Sequence, residues 1–210
     1  MSVVTIRGQL GSGAPEIGRL IADRLHADYV DREIIGEVAA RLQRQEEEVI
    51  EKEMPPSSFL GRIAEALGHS GVGFEGAYLP LWQMPLDDTG YLETLESVVK
   101  KLVQNPPLVI QGRGSQFILK DHPDVFHVLI VAPMEIRVKR VMETLKLGEE
   151  AAKREITRFD SSRREFIRRY FHVEREEPEH YDLVINTGHL SFQAAASIVV
   201  DSLSFRERQP

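Results

Sequence analysis

The sequence predicts an α/β fold in which a parallel central sheet is covered by helices on both faces, giving three layers. Two observations support this prediction. Short apolar runs alternate along the chain with longer segments that repeat apolar residues at helical spacing. The first apolar run is followed by a glycine-rich turn and an amphipathic helix, as expected for a βαβ unit. Ligands of such folds bind at the carboxyl ends of the strands.

Five short segments are predicted to be extended, at residues 3–6, 28–31, 108–111, 125–131 and 183–185, and all but 28–31 are mainly apolar. Helices are predicted at residues 16–26, 32–43, 46–53, 59–67, 89–104, 133–145, 149–171 and 190–203. The segment 149–171 is compatible with one helix or with two. Pro15 fits the first turn of its helix, because the N–H that proline lacks would have no partner there.

The bulk composition excludes several classes of protein. The chain has 210 residues and a formal net charge of −7, which argues against general nucleic-acid binding. It has no cysteine, so disulfides, cysteine-ligated metals and thiol catalysis are excluded. No apolar run approaches the roughly 20 residues needed to span a bilayer, and no basic-then-apolar leader is present. We therefore expect a cytoplasmic protein with no membrane partner.

The charge is unevenly distributed. Residues 153–175 hold eight basic and four acidic side chains, so this segment carries +4 while the remainder of the chain carries −11. A local concentration of arginine in an acidic protein suggests a small anionic ligand. The alternative is a solvated helix face stabilised by ion pairs between neighbouring turns.

The glycine-rich turn has the spacing of a phosphate-binding loop (P-loop). Gly8 and Gly13 occupy the two glycine positions of the pattern G-x-x-x-x-G-K-[ST]. Ala14 stands where the lysine belongs, and Pro15 stands where the Mg²⁺-binding hydroxyl belongs. The loop therefore predicts phosphate binding by the backbone without two of the usual side chains.

The backbone of this loop can bind a phosphate through N–H groups at Gly8, Gly11, Ser12 and Gly13, helped by the positive end of the following helix. The missing cation has three candidate sources: Arg7, Arg19 or an arginine of the basic segment. Arg19 lies on the helix after the loop and is equally compatible with a surface position.

Five further side chains are candidates for ligand binding. Arg113 lies between two glycines at the end of a strand, where it can grip a phosphate or lie in a surface turn. Asp160 and Arg163 are three residues apart on a helix, so they can bind a ligand or pair with each other. Arg137 and Arg140 share a helix face and are compatible with an ATP contact or with the surface. The seven histidines show no metal-ligand spacing, so no protein metal site is expected.

The chain resembles the cytidylate-kinase-like family, relatives of bacterial cytidylate kinase among the nucleoside-monophosphate kinases. The segments that match are residues 5–6 with 11–13, 29–35, 109–114, Asp160 with Arg163, and 181–187. The resemblance implies a three-layer P-loop NTPase fold in one domain over residues 1–210. It also implies a helical insert on the acceptor side at about residues 45–90 and a basic helical lid at about residues 146–175.

The resemblance also assigns roles to candidate residues. Arg113 looks like the arginine that binds the acceptor phosphate, and Asp160 with Arg163 looks like the acceptor-binding pair. Arg137 and Arg140 look like the ATP-side arginines that lead into the lid. Arg163 and Arg140 are the candidate catalytic residues. The ATP-binding loop comprises Gly8, Gly11, Ser12, Gly13 and Ala14.

The chain departs from the family pattern at three positions. Pro15 replaces an arginine that members often carry, and Gln111 and Gly114 replace acidic residues around the Gly-Arg pair.

The expected activity is transfer of the ATP γ-phosphoryl group to a nucleoside monophosphate, with CMP or dCMP as the first candidates. Mg²⁺ would be held mainly by the nucleotide phosphates. Two alternatives remain open: an inactive nucleotide sensor or pseudokinase on the same fold, and a kinase for another small acceptor. The expected partner is a small-molecule nucleotide and not a nucleic acid, and a homodimer remains open.

Overall fold

The computed structural model describes residues 3–31, 89–174 and 177–206. The helices predicted at 32–43, 46–53 and 59–67 lie outside the described residues, as does most of the insert predicted at about 45–90. The division into a single domain with an insert and a lid therefore stays a prediction.

A five-stranded parallel sheet lies at the centre of the described residues, as predicted. Its strands are β1 (Val3–Gly8), β2 (Asp28–Val30), β3 (Leu108–Gln111), β4 (Val125–Val131) and β5 (Leu183–Asn186). Their order across the sheet is β2-β3-β1-β4-β5, and every neighbouring pair is parallel. The first strand lies at the centre of this order, and its carboxyl end leads directly into the glycine-rich loop.

The described residues form six helices between and after these strands. They are α1 (Ala14–Leu25), α2 (Thr89–Leu102), α3 (Ser115–Ile118), α4 (Met134–Leu145), α5 (Glu149–Phe171) and α6 (Phe192–Arg206), with a 3₁₀ turn at Pro178–His180. The segment 149–171 is one continuous helix. α1 begins two residues earlier than predicted, because Pro15 lies inside its first turn. None of the helices in the described segments is long and apolar enough to cross a membrane.

Side chains that alternate along the strands belong to two separate apolar clusters, one on each face of the sheet. Val4 and Ile6 pack with α1 and α6, whereas Val3 packs with α2 and α3 on the opposite face. A third cluster joins α4 and α5 to Leu10 of the glycine-rich loop. The hairpin formed by α4 and α5 is therefore anchored at the carboxyl edge of the sheet, where the α/β fold places ligands.

A histidine is buried among these apolar layers. His127 on β4 lies opposite Thr5 on β1, and its Nδ1 is 2.6 Å from the Thr5 hydroxyl oxygen. Its backbone N–H donates to the carboxylate of Asp182 at 2.7 Å. Burial lowers the pKa of His127 below its ordinary value of 6.5, and the nearby carboxylate of Asp182 offsets part of the shift.

This buried histidine predicts a loss of stability in mild acid. Because the unfolded chain binds a proton near pH 6.5 and the folded chain binds it only at lower pH, the free energy of unfolding should fall with pH below about 6.5. The slope due to this residue is at most about 1.4 kcal/mol per pH unit. Urea unfolding of wild type and His127→Gln between pH 7.5 and 5.5 measures it.

His189→Gln removes an exposed histidine and is the matched control. It should keep the wild-type slope, whereas His127→Gln should give a flatter one. Equal slopes for wild type and His127→Gln would contradict the argument.

Candidate functional site

The glycine-rich loop runs from the end of β1 to the first turn of α1, and close packing explains its glycines. Gly13 has a φ of 89° and lies against the ring of Phe192, where an added Cβ would approach a ring carbon to 2.2 Å. An added Cβ on Gly11 would lie 2.7 Å from the carbonyl oxygen of Arg137. Any larger residue at either position would push the loop off α4 or α6.

Several backbone N–H groups of the loop are not used within the described part of the protein. In the described part of the chain, the N–H groups of Gly11, Gly13 and Ala14 donate to no protein acceptor. The N–H of Ser12 turns back to the carbonyl of Gln9 at 3.0 Å. Because these N–H groups stand at the amino end of a 12-residue helix, they form a site suited to an anion.

The loop offers little to a metal ion. Pro15 has no hydroxyl, and the Ser12 hydroxyl is fully buried beside Gly8 without a hydrogen-bond partner among the residues described. Among the residues that the structure describes, no group of three histidine or acidic side chains could hold a metal ion. The described side chains of the loop therefore do not fit the usual Mg²⁺ ligand set.

Arg140 donates hydrogen bonds to the glycine-rich loop and to the residue after β5. Its guanidinium donates to the carbonyl of Gly11 at 3.2 Å and to the carbonyl of Thr187 at 2.8 Å, and it lies 4.8 Å from the ring centre of Phe192. The Thr187 hydroxyl donates to the carbonyl of Ser12 at 2.7 Å. The end of β5 is thus fastened to the loop through one arginine and one threonine.

Arg137 and Asp160 form an ion pair that clamps one peptide of the loop. The Arg137 side chain is 5% exposed, and Asp160 is 23% exposed. Arg137 Nε donates to the carbonyl of Leu10 at 2.8 Å, and the N–H of Leu10 lies 3.4 Å from a carboxylate oxygen of Asp160. Both polar groups of Leu10 are thereby satisfied by the pair, which connects α4 with α5.

Arg163 reaches the first glycine of the loop from α5. One of its terminal nitrogens donates to the carbonyl of Gly8 at 2.8 Å, and its guanidinium lies 5.5 Å from the ring centre of Phe159. Asp160 and Arg163, one turn apart on α5, therefore hold two different peptides of the same loop. Arg19 is exposed and lies over the ring of Tyr29, in agreement with the surface alternative.

Arg113 lies at the neighbouring strand end. Gly112, Arg113 and Gly114 all have positive φ, at 79°, 54° and 69°. The value at Arg113 costs about 1 kcal/mol or more for a residue with a side chain. The turn is bonded to β1, because the N–H of Gly112 donates to the carbonyl of Ile6 at 3.2 Å. Such strain in a turn beside the loop is typical of functional sites.

Aromatic residues support this turn from α5. The ring of Phe171 packs on Gly114, where an added Cβ would approach it to 2.2 Å, and lies 5.3 Å from the ring of Phe117. Beside the turn, the hydroxyl of Tyr29 donates to the side-chain oxygen of Gln111. The last turn of α5 therefore lies against the Arg113 turn, while its middle lies against the P-loop.

The structure brings together most of the predicted site. Arg137, Arg140, Asp160 and Arg163 all contact the P-loop, and Arg113 occupies the end of the adjacent strand β3. Arg137 is buried rather than at the surface, and Asp160 pairs with it. Their assigned roles toward a ligand stay predictions.

Two residues that hold the loop were not among the candidates. Thr187 lies in the segment 181–187 that carries the resemblance, but no role was assigned to it, and Phe192 had no signal in the sequence.

The family of the chain follows from comparison with known proteins. The model of the cytidylate kinase-like family matches residues 3–189. The chain belongs to this family.

Two relatives are similar to the chain in sequence. A cytidylate kinase of Methanosarcina barkeri is 25% identical to it over 188 residues, which is 88% of the chain and 86% of that protein. A uronate isomerase of Corynebacterium glutamicum is 32% identical over 94 residues. That match covers 45% of the chain and 18% of the isomerase, so the chain spans under a fifth of that protein.

Two solved structures show the fold. An uncharacterized protein from Eubacterium ventriosum has a TM-score of 0.70 at 19% identity, covering 98% of the chain and 99% of that protein. Shikimate kinase from Acinetobacter baumannii has a TM-score of 0.50 at 15% identity, covering 100% of the chain and 96% of that protein. The chain therefore has an α/β P-loop fold, as predicted.

The Arg137–Asp160 pair predicts a measurable loss of stability when one partner is removed. Asp160→Ala leaves a buried guanidinium without its carboxylate and should lower the free energy of unfolding by about 3 kcal/mol. Asp160→Asn keeps an oxygen for Leu10 and should lose less. Glu165→Gln breaks an exposed pair with Arg168 and should leave the urea midpoint unchanged. An equal midpoint for wild type and Asp160→Ala would contradict a structural role for the pair.

Proposed function

We propose that this protein transfers the γ-phosphoryl group of ATP to a nucleoside monophosphate, with CMP or dCMP as acceptor. The observation that carries the proposal is the pairing of two anion sites at adjacent strand ends. One is the P-loop with its open N–H groups, and the other is the strained Arg113 turn. Membership of a cytidylate kinase-like family and the likeness to the Methanosarcina enzyme support the choice of acceptor.

The P-loop is proposed to bind the ATP phosphates. The N–H groups of Gly11, Gly13 and Ala14 have no acceptor among the described residues and stand at the amino end of α1, where negative charge is stabilised. Gly8 and Ser12 complete the loop, and the carbonyls of Gly8 and Gly11 already accept hydrogen bonds from arginines. An anion bound at this loop would therefore be contacted by N–H donors and not by carbonyl acceptors.

The acceptor is proposed to bind at β3. The Arg113 guanidinium is half-buried at the strand end and can bind a phosphate through two parallel hydrogen bonds. Asp160 and Arg163 were assigned to the same acceptor by resemblance. Their contacts with Leu10 and Gly8 indicate that they also position the loop.

Catalysis would rest on positioning and positive charge. Phosphoryl transfer requires little covalent chemistry from the protein, because the transition state needs alignment and neutralisation of charge on the phosphoryl oxygens. Arg140 and Arg163 are the proposed catalytic cations, and Arg137 is proposed to support the ATP side through Leu10. Mg²⁺ would enter bound to the nucleotide phosphates, since Pro15 provides no ligand for it.

A second candidate function is a nucleotide-binding sensor without turnover. The absence of a lysine at Ala14 and of a hydroxyl at Pro15 favours it, because these side chains ordinarily serve the chemical step.

Formation of ADP decides between the two functions. The purified protein is incubated with ATP, Mg²⁺ and each of CMP, dCMP, UMP, AMP and GMP. We expect ADP formation that depends on CMP or dCMP and on Mg²⁺. If calorimetry shows binding of ATP and CMP but no acceptor gives ADP, the kinase proposal is rejected and the sensor function is favoured.

Substitution of Arg113 tests the acceptor site. Arg113→Ala should weaken CMP binding by roughly 1.5–3 kcal/mol, the value of a charge-assisted hydrogen bond. Arg113→Gly should lose binding equally while relieving the strain at φ 54°, so it should be the more stable of the two variants. Calorimetric titration with CMP measures both, and unchanged affinity in either variant would exclude Arg113 from the site.

A further inference from the structure

We propose that Gln111 binds a phosphate oxygen of the nucleotide directly through its side-chain amide, so that the site accepts nucleotide phosphates that carry no Mg²⁺. This inference rests on the proposed binding of ATP at the P-loop and names the form of nucleotide that the site takes. Two observations carry it. The amide nitrogen of Gln111 is unused beside the first turns of α1, and neither Gln111 nor Pro15 offers a free ligand to a metal ion there.

Gln111 lies at the carboxyl end of β3, on the face of the sheet that α1 covers. Val109, two residues earlier on the same strand, packs with α1 in one cluster with Ile6, and Ile6 is the register partner of Gln111. Gly18 of α1 lies against these strands, because a Cβ added to it would be 3.2 Å from a methyl carbon of Ile6 and 2.8 Å from the ring of Tyr29. The Gln111 side chain, bonded to Tyr29, therefore lies beside the first turns of α1.

The amide of Gln111 has one occupied end and one open end. Its oxygen accepts a hydrogen bond from the Tyr29 hydroxyl, which restrains the orientation of the amide. Its nitrogen donates to no acceptor in the described part of the chain, and it is not among the atoms that are fully enclosed there without a partner. The residue is only 8% exposed. A nearly buried donor without an acceptor costs free energy, which a hydrogen bond to a phosphate oxygen would recover.

Pro15 lies on the same face of α1 as Gly18, one turn closer to the P-loop. The phosphate-binding pattern places the Mg²⁺-binding hydroxyl at this position, and Pro15 has none. The oxygen of Gln111 could serve a metal ion, but it already accepts from Tyr29. The groups that remain available at these two positions are N–H donors, which suit a phosphate oxygen and not a cation.

The absence of charge on Gln111 determines which form of the nucleotide is favoured. A carboxylate at this position would repel the phosphates of free ATP, and a divalent cation bound to those phosphates would offset the repulsion. An amide carries no charge, and its N–H groups can donate to a phosphate oxygen with or without the metal ion. Turnover would still need Mg²⁺ to neutralise charge on the phosphoryl oxygens, so the effect is expected in binding.

Calorimetric titration with ATP, in excess Mg²⁺ and in EDTA, tests the role of Gln111. The Kd of wild type should differ by less than about threefold between the two conditions, because its donor is neutral. Gln111→Glu keeps an acceptor for Tyr29 but adds a charge. This variant should bind ATP at least about tenfold more weakly in EDTA than in Mg²⁺.

Gln104→Glu is the matched control, because it makes the same change of charge at an exposed position just after α2. It should keep the wild-type ratio of the two Kd values. A loss of tenfold or more of wild-type ATP affinity in EDTA would overturn the proposal. The wild-type ratio in Gln111→Glu would overturn it as well.

If Gln111→Glu does not fold, Gln111→Met replaces it. Methionine keeps the length of the side chain and removes its N–H donors without adding charge. Gln111→Met should weaken ATP binding in EDTA at least about tenfold, the effect of losing a hydrogen bond to a charged group, and should leave adenosine binding unchanged. Equal ATP affinity in wild type and Gln111→Met would reject a phosphate contact of Gln111.

ADP formation separates this inference from the proposed function. If wild type forms no ADP with any acceptor, the kinase proposal fails, while the affinities for ATP with and without Mg²⁺ still decide the role of Gln111. If wild type forms ADP and Gln111→Glu shows the wild-type ratio of Kd values, the kinase proposal stands and the role of Gln111 is rejected. If wild type binds no ATP in either condition, both proposals are rejected.

Discussion

The ion pair between buried Arg137 and part-buried Asp160 is the contact on which the arrangement of the candidate site depends. It satisfies both polar groups of the Leu10 peptide and at the same time joins α4 to α5. A guanidinium that is 5% exposed cannot stand without a partner, so the position of one helix fixes the other. Apolar packing of Leu10 between the two helices adds to the same constraint.

The carbonyl and N–H groups of the loop have different partners. Carbonyls of the loop accept from Arg140, Arg163 and Thr187, and the N–H groups of Gly11, Gly13 and Ala14 have no protein acceptor among the described residues. Cations that satisfy the carbonyls also add positive potential around the loop. The basic side chains of residues 153–175 therefore have two uses: half-buried Arg163 contacts the loop, while exposed arginines such as Arg158 pair with neighbours on α5.

The sequence predicted the sheet well because strand identity is local. Short β-branched runs such as Val125–Val131 carry their own signal, and the glycine spacing from Gly8 to Gly13 marked the loop. Contacts between residues more than a hundred positions apart have no local signal. The burial of Arg137 and the bond from Thr187 to Ser12 therefore appeared only in the structure. The start of α1 was displaced for a local reason, since Pro15 inside its first turn looks like a boundary.

The contact of Arg163 with the loop comes from α5, so it depends on the position of the whole helix. Asp160 stands one turn before Arg163, so the bond from Leu10 to Asp160 and the bond from Arg163 to Gly8 hold α5 against two peptides of the loop. The far end of α5 packs through Phe171 on Gly114, beside Arg113. One helix therefore contacts both the P-loop and the Arg113 turn, and this shared support fixes the two neighbouring strand ends relative to each other.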